Sequence, residues 1–393
     1  MNKNSNYRFN NNFDFLRVLA ALLVILSHSF PLAGHKAEIF VSITGFMTFG
    51  YLGVIIFFVI SGYLITKSWY GNPSTSQFFW NRFLRIVPGL VGVALFTIFL
   101  LGPFVTTLPV SDYFQNPATW NYLSIITIFG VIYTLPGVFT TNAFPNAVNG
   151  SIWTLPLEFK MYILVFITGF LKLHKRLILM ILTLMLIFYF FIDLNFSTFF
   201  YNILYWNGAS SIQQLGSSPV THFELSYPLF FMIGSLYYLY EKKINYSIKL
   251  AVVLLIIWIL SFNTPLFSIA SFISLPYLVL YMAKTPVYPL NKISKYGDFS
   301  YGMYIYAFPV QQTVVHFISD ISVIGLFLIS SCLTLILSIL SWKLIESKAL
   351  KLKKFNIGEY FKVNILYKSP IYFHLCDFLA YIQKFKFFKD NEK

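Results

Sequence analysis

FLRVLAALLVILSHSF, residues 15–30, is an almost unbroken apolar run that nevertheless carries a guanidinium, Arg17, and an imidazole, His28. Such a run predicts a membrane-crossing helix, and an ionisable group within one is costly unless it lines a polar interior. Eleven residues separate the two groups. At about 100° and about 1.5 Å per residue they share one helix face, about 16 Å apart along its axis. Both can therefore line one cavity. The run has no small-residue cleavage pattern, so it reads as a retained span rather than a signal peptide.

The rest of the chain agrees with a membrane setting. It is 57% hydrophobic and 20% aromatic, and only 11% of its residues are charged, against about a quarter in soluble domains. Apolar segments fall near 14–31, 49–67, 84–102, 154–171, 177–193, 225–240, 248–262, 266–283, 298–316 and 323–343. The expectation is an all-α polytopic membrane protein with about ten transmembrane helices. The apolar stretches 121–135 and 199–206 are short and read as interfacial or re-entrant.

Basic residues alternate with this count, as the positive-inside rule requires. Lys3 and Arg8, then Lys67, Arg82 and Arg85, then Lys172, Lys175 and Arg176 fall on one side. Lys242, Lys243 and Lys249, then Lys284, Lys292 and Lys295, and the lysines from Lys348 onward follow on that same side. The opposite connections, 103–152, 194–224, 263–265 and 317–322, hold no Lys or Arg, and 32–48 holds only Lys36. Both termini are thus expected in the cytoplasm. The net charge of +14 reads as an orientation and lipid-facing signal, and no nucleic-acid motif accompanies it. Cys332 and Cys376 lie far from any outer loop, so no disulfide is expected, and no metal-ligand spacing is present.

No soluble domain or internal repeat interrupts the chain. The expected organisation is one transmembrane domain, 1–346, followed by a tail, 347–393, in which lysines alternate with Phe, Tyr, Leu and Ile. That pattern suits a basic amphipathic segment on an anionic inner leaflet.

Five features carry polar chemistry into the apolar frame. Arg17 either snorkels beside Asp14 or faces a site, and His28 lies deeper, toward the outer face. In FFVISGYLIT, residues 57–66, Ser61 and Gly62 interrupt large side chains and permit close helix packing. In RFLRIVP, residues 82–88, Arg82 and Arg85 share one face, where they are either topology anchors or a phosphate clamp. In NGSIWTLPLEFKMY, residues 149–162, Trp153 precedes a helix entered from outside, with Thr154 expected as its N-cap and Glu158 in its early turns. Lys160 is about 200° round the helix from Glu158, so the carboxylate needs another partner, and His28 is expected to supply it. In GDFSYGMYIYAFPVQQ, residues 297–312, Ser300, Tyr301 and Tyr304 add hydroxyls, either as aromatic packing or as pocket groups.

Taken in order, the Arg17-to-His28 spacing, FFVISGYL, the Arg82/Arg85/Pro88 cluster, WTLPLE and SYGMYIYAFP resemble the acyltransferase-3 family of integral membrane acyltransferases. Bacterial enzymes that O-acetylate surface polysaccharides are the members most alike. The resemblance covers residues 13 to about 350. It implies a ten-helix domain that takes an acyl group, acetyl in the first instance, from cytoplasmic acyl-CoA and delivers it to an acceptor hydroxyl at the outer face. It also implies a bacterial inner-membrane location, an envelope-glycan acceptor such as lipid-linked O-antigen, no metal and no nucleic-acid partner.

The resemblance maps the family's essential arginine and histidine onto Arg17 and His28, its CoA-side arginines onto Arg82 and Arg85, and its acidic residue onto Glu158. Ala307 stands where many relatives carry a histidine, which removes one catalytic candidate. Some relatives append an extracytoplasmic hydrolase-like domain, and a chain ending in the cytoplasm is expected to lack it. A neutral imidazole suits the general base that an acceptor hydroxyl needs, with Glu158 poising it as the third member of a triad. Arg17 would bind donor phosphate or stabilise developing charge. Direct transfer and a covalent acyl-histidine both remain open. So do other acceptors, a peptidoglycan sugar, a lipid-linked oligosaccharide or a secreted small molecule, and a non-enzymatic transporter or flippase.

Overall fold

The computed structural model describes residues 11–45, 47–191, 226–288, 290–295 and 297–355. Among these the chain is mostly helical and forms no strand, only one isolated antiparallel bridge between Thr106 and Val138. The longer helices are α1 (Phe13–Leu32), α2 (Phe49–Gly71), α3 (Thr75–Leu95), α4 (Thr154–Phe170) and α5 (Lys175–Phe191). They continue with α6 (Ser226–Leu239), α7 (Ile248–Leu260), α8 (Phe267–Lys284), α9 (Ser300–Phe317) and α10 (Val323–Ser341). The 199–206 stretch, the tail beyond Phe355 and the residues before Asn11 lie outside the described residues.

Among the described residues, five helical stretches are long and apolar enough to cross a membrane: Phe13–Leu32, Phe49–Gly71, Thr75–Val105, Phe267–Lys284 and Val323–Lys354. α4, α6 and α7 are shorter, at 17, 14 and 13 residues. α7 and α10 turn large apolar side chains outward, among them Ile256, Ile257, Leu260, Ile324, Leu328 and Leu340. This is the surface a hydrocarbon solvent favours.

α2 is the central element. It buries Val54, Ile55, Ile56, Phe58, Val59, Ile60 and Tyr63 and is apolar on all sides. Gly53 lets it meet α1, where an added Cβ would sit 2.6 Å from the Ala20 carbonyl oxygen. Gly62 does the same toward α6, where a Cβ would fall 2.0 Å from the Phe231 oxygen. Gly62 is therefore a packing residue, as the small-residue reading of FFVISGYL requires.

Neighbouring contacts fix the helix directions. Gly50 lies against Ser27, and Phe13 stacks on Tyr63, so α1 and α2 are antiparallel. Ser61 meets Glu158, and Trp69 meets Phe166, so α2 and α4 run the same way. Arg17 reaches Asp298, and Gln311 donates to the Ile25 carbonyl, so α1 and α9 are parallel.

The loop before α4 does not stay at the end of the bundle. Asn142 donates to Gln312, Asn149 donates to the Ile305 carbonyl, and Gly150 packs on Phe308. These contacts descend along α9 and draw the start of α4 inside, and Gln312 donates back to the Phe144 and Ala147 carbonyls of the loop. The 121–135 stretch holds a short 3₁₀ helix, Tyr122–Thr127, packed against α3.

Candidate active site

At the end of the bundle where α1, α3 and α9 begin, a cavity of about 500 Å³ opens between α1, α2, α3, α4 and α9. Three arginines line it. Arg17, on the second turn of α1, reaches Asp14 at 3.5 Å and Asp298 at 3.3 Å. Arg85, on α3, meets the same Asp298 oxygen at 2.5 Å and lies over the Tyr301 ring. Arg82, one turn earlier, is held differently. It lies over the rings of Phe78 and Tyr162, makes one long hydrogen bond to Ser68 at 3.4 Å, and its buried Nε has no partner among the described residues.

Asp298 was not singled out from the sequence, yet it joins two of the three guanidinium groups. It sits in the turn before α9, and the Ser300 hydroxyl donates to its other oxygen at 2.5 Å. The signal was available: two arginines inside an apolar frame call for a buried carboxylate, and Asp298 opens the same motif as Ser300. A second carboxylate, Glu346, is buried near this wall and accepts from Ser341 at 2.8 Å.

Glu158 also lines the cavity, but its partners differ from the expected one. It accepts the Ser61 hydroxyl at 2.6 Å and the Tyr162 hydroxyl at 2.5 Å. The expected pairing with His28 does not form, because α4 begins inside the bundle and carries Glu158 down to the level of Arg17. His28 lies level with Gly50, whereas Ser61 is eleven residues further along α2, which separates His28 from Glu158 by about 16 Å along the axis. Thr154 is likewise no N-cap. Trp153 holds that position without a side-chain bond, and the Thr154 hydroxyl pairs with Tyr304 at 2.6 Å.

His28 itself packs edge-on against Phe308, with ring centroids 5.2 Å apart, and its buried Nδ1 has no hydrogen-bond partner among the described residues. It faces protein, but it does not line the cavity, whose wall reaches Val54 on α2. Val54 is four residues from Gly50, so the cavity end and the imidazole level lie about 6 Å apart along the helix axis. Phe57 and Tyr304, ring centroids 5.6 Å apart, line that end.

The remaining expected residues divide cleanly. Ser61, Ser300, Tyr301 and Tyr304 line the cavity, with Tyr301 donating to the Ile86 carbonyl at 2.8 Å and Tyr304 to the Ser151 carbonyl at 2.8 Å. Gly62 faces α6, and Trp153 packs near Tyr227 outside the cavity. Tyr162 and Lys353 are lining residues that the sequence did not single out. Outside the apolar helices, Glu38 is buried in the connection between α1 and α2, where it accepts from Ser27 at 2.7 Å and from the Phe49 amide. Burial raises its carboxyl above the ordinary value, while those two hydrogen bonds pull it back down.

Chemically, the cavity offers clustered guanidinium groups suited to phosphate, hydroxyls at its inner end, and an adjacent buried imidazole on the α1 face. Comparison with known proteins bears on which reaction uses them. A family model described as an acyltransferase domain matches residues 10–343. A protein called O-acetyl transferase, from Shigella phage Sf6, is 32% identical over 351 residues, covering 86% of this chain and 96% of its own. Nodulation protein 10 of Rhizobium leguminosarum bv. viciae is 36% identical over 164 residues, covering 39% of this chain and 42% of its own. No solved structure matches the chain.

Proposed function

Since the chain belongs to the acyltransferase family whose domain model matches residues 10–343, we propose that it is a membrane O-acetyltransferase. It takes an acetyl group from cytoplasmic acetyl-CoA and esterifies a hydroxyl of an envelope polysaccharide, O-antigen in the first instance, at the outer face of a bacterial inner membrane. The observation that carries this reading is the convergence of Arg17, Arg82 and Arg85 on one cavity at one end of the bundle, with His28 on the same helix as Arg17. The Shigella phage relative's name supports the O-acetyl reaction.

In this reading α1 to α10 each cross the bilayer and both termini are cytoplasmic. The alternating basic connections support that count, and so do the antiparallel α1–α2 and parallel α1–α9 directions. The cavity then opens to the cytoplasm, where the arginines bind donor phosphates and the acyl arm points along α1 toward His28. His28 takes the proton of the acceptor hydroxyl as its oxygen attacks the thioester carbonyl. The carbon–oxygen bond forms, the carbon–sulfur bond breaks, and the CoA thiolate recovers the proton from the imidazolium. Glu158 acts on the donor side, holding Ser61 and Tyr162 beside Arg82, and does not poise His28.

Mass analysis of envelope polysaccharide from cells with and without this gene tests the reading. It expects one acetyl mass per modified site, lost with the gene. Identical polysaccharide masses would overturn the acceptor assignment.

A further inference from the structure

The four cations of the cavity are not equivalent. Arg17 and Arg85 share Asp298, and Arg17 also meets Asp14. Among the described residues Arg82 and Lys353 form no ion pair, although both face the same cavity. Arg82 also keeps a buried Nε without a partner.

Lys353 reaches this position from beyond α10. The chain continues through a π-helical turn, Trp342–Glu346, and a short helix, Ser347–Lys351, into a 3₁₀ turn, Leu352–Lys354. That turn is fastened to the start of α3. Gln77 Nε2 donates to the Lys353 carbonyl at 2.9 Å, and Trp80 Nε1 donates to the Leu352 carbonyl at 3.2 Å. The neighbours Lys351 and Lys354 are exposed, whereas Lys353 is half-buried and lines the cavity with Leu350 and Trp342. A backbone fixed at two points thus brings a second cation without an ion pair toward guanidinium groups of the same sign. Four cations and three carboxylates, Asp14, Glu158 and Asp298, line the cavity, so an excess of positive charge remains for an anion to meet.

We propose that Lys353 and Arg82 together bind the phosphate groups of the donor, so that the segment following α10 is part of the donor site. The proposal rests on the acyl-CoA reading. Arg82 supplies a directional fork and Lys353 a mobile point charge at the mouth.

Calorimetric titration of coenzyme A into the full-length protein in lipid nanodiscs tests it, comparing wild type with Lys353→Gln, Lys353→Arg and the exposed control Lys354→Gln. Lys353→Gln should bind about tenfold more weakly, which is the loss of one charge-assisted contact. Lys353→Arg should restore binding, and Lys354→Gln should stay within about twofold of wild type, as a solvated charge does. In turnover, Lys353→Gln should raise KM with kcat unchanged. Wild-type binding that Lys353→Gln leaves intact overturns this assignment alone. Failure of wild type to bind coenzyme A overturns the donor reading with it.

Discussion

One oxygen of Asp298 lies 2.5 Å from Arg85 and 3.3 Å from Arg17, so a single carboxylate ties the start of α9 to both α3 and α1. All three side chains are less than a quarter exposed. Removing the negative charge would leave two shielded guanidinium groups uncompensated, and breaking such a buried pair costs about 3 kcal/mol. Asp298→Asn should therefore lower the unfolding midpoint of the purified protein sharply. A midpoint equal to wild type would mean the two arginines are held by other groups.

Gly62 is a packing position, since a Cβ there would fall 2.0 Å from the Phe231 carbonyl oxygen. Backbone cannot yield as a flexible side chain does. Gly62→Ala should cost about 2 kcal/mol by forcing α2 and α6 apart, while its neighbour Ser61→Ala should be milder in stability and affect the cavity instead. Thermal unfolding of the two variants in one detergent distinguishes them. Equal stability of Gly62→Ala and wild type would contradict the close approach.

His28 does not line the arginine-lined cavity, which divides their expected mutational signatures. His28→Ala should abolish acetyl transfer yet leave coenzyme A binding at its wild-type strength, because the ring does not line the cavity. Arg82→Ala should do the reverse first, weakening donor binding by about tenfold or more. Titration with coenzyme A beside a transfer assay reads both. Loss of donor binding in His28→Ala would place the imidazole at the donor site.

Glu38 gives a pH dependence outside the apolar helices. Burial raises its folded-state pKa above the ordinary 4.5, against the opposing bonds from Phe49 and Ser27. A carboxyl raised on folding favours the folded state while protonated. Its contribution is therefore complete below 4.5 and fades as pH climbs through the raised value. Glu38→Gln, which cannot ionise, should lack this decline, so thermal midpoints of wild type and variant should diverge as pH rises past that window. Parallel midpoint curves would show that Glu38 does not titrate with folding.

Much of this architecture is legible in the sequence because hydrocarbon is an exacting solvent. Apolar runs mark the helices, and the basic residues at their ends mark one wall of the cavity, where Arg17, Arg82 and Arg85 meet Glu158, Ser61 and Tyr304. Depth is where sequence reasoning fails. Thr154 and Glu158 look as if they enter from the end of the bundle, because nothing in NAFPNAVNGS announces that Asn142 and Asn149 will bind α9 and pull the loop inside. That displacement moves Glu158 away from His28 and gives it Ser61 and Tyr162. Asp298 and Lys353 escape notice for a related reason: each lies at a helix boundary, where a charge looks solvated until tertiary contacts bury it.

The central claim is transfer across the bilayer from a donor that stays on one side. Purified protein in sealed liposomes, with labelled acetyl-CoA outside and an acceptor glycan enclosed, tests it directly. The account predicts label esterified to the enclosed glycan with wild type and none with His28→Ala. Unmodified glycan inside, or intact acetyl-CoA carried into the lumen, would contradict it.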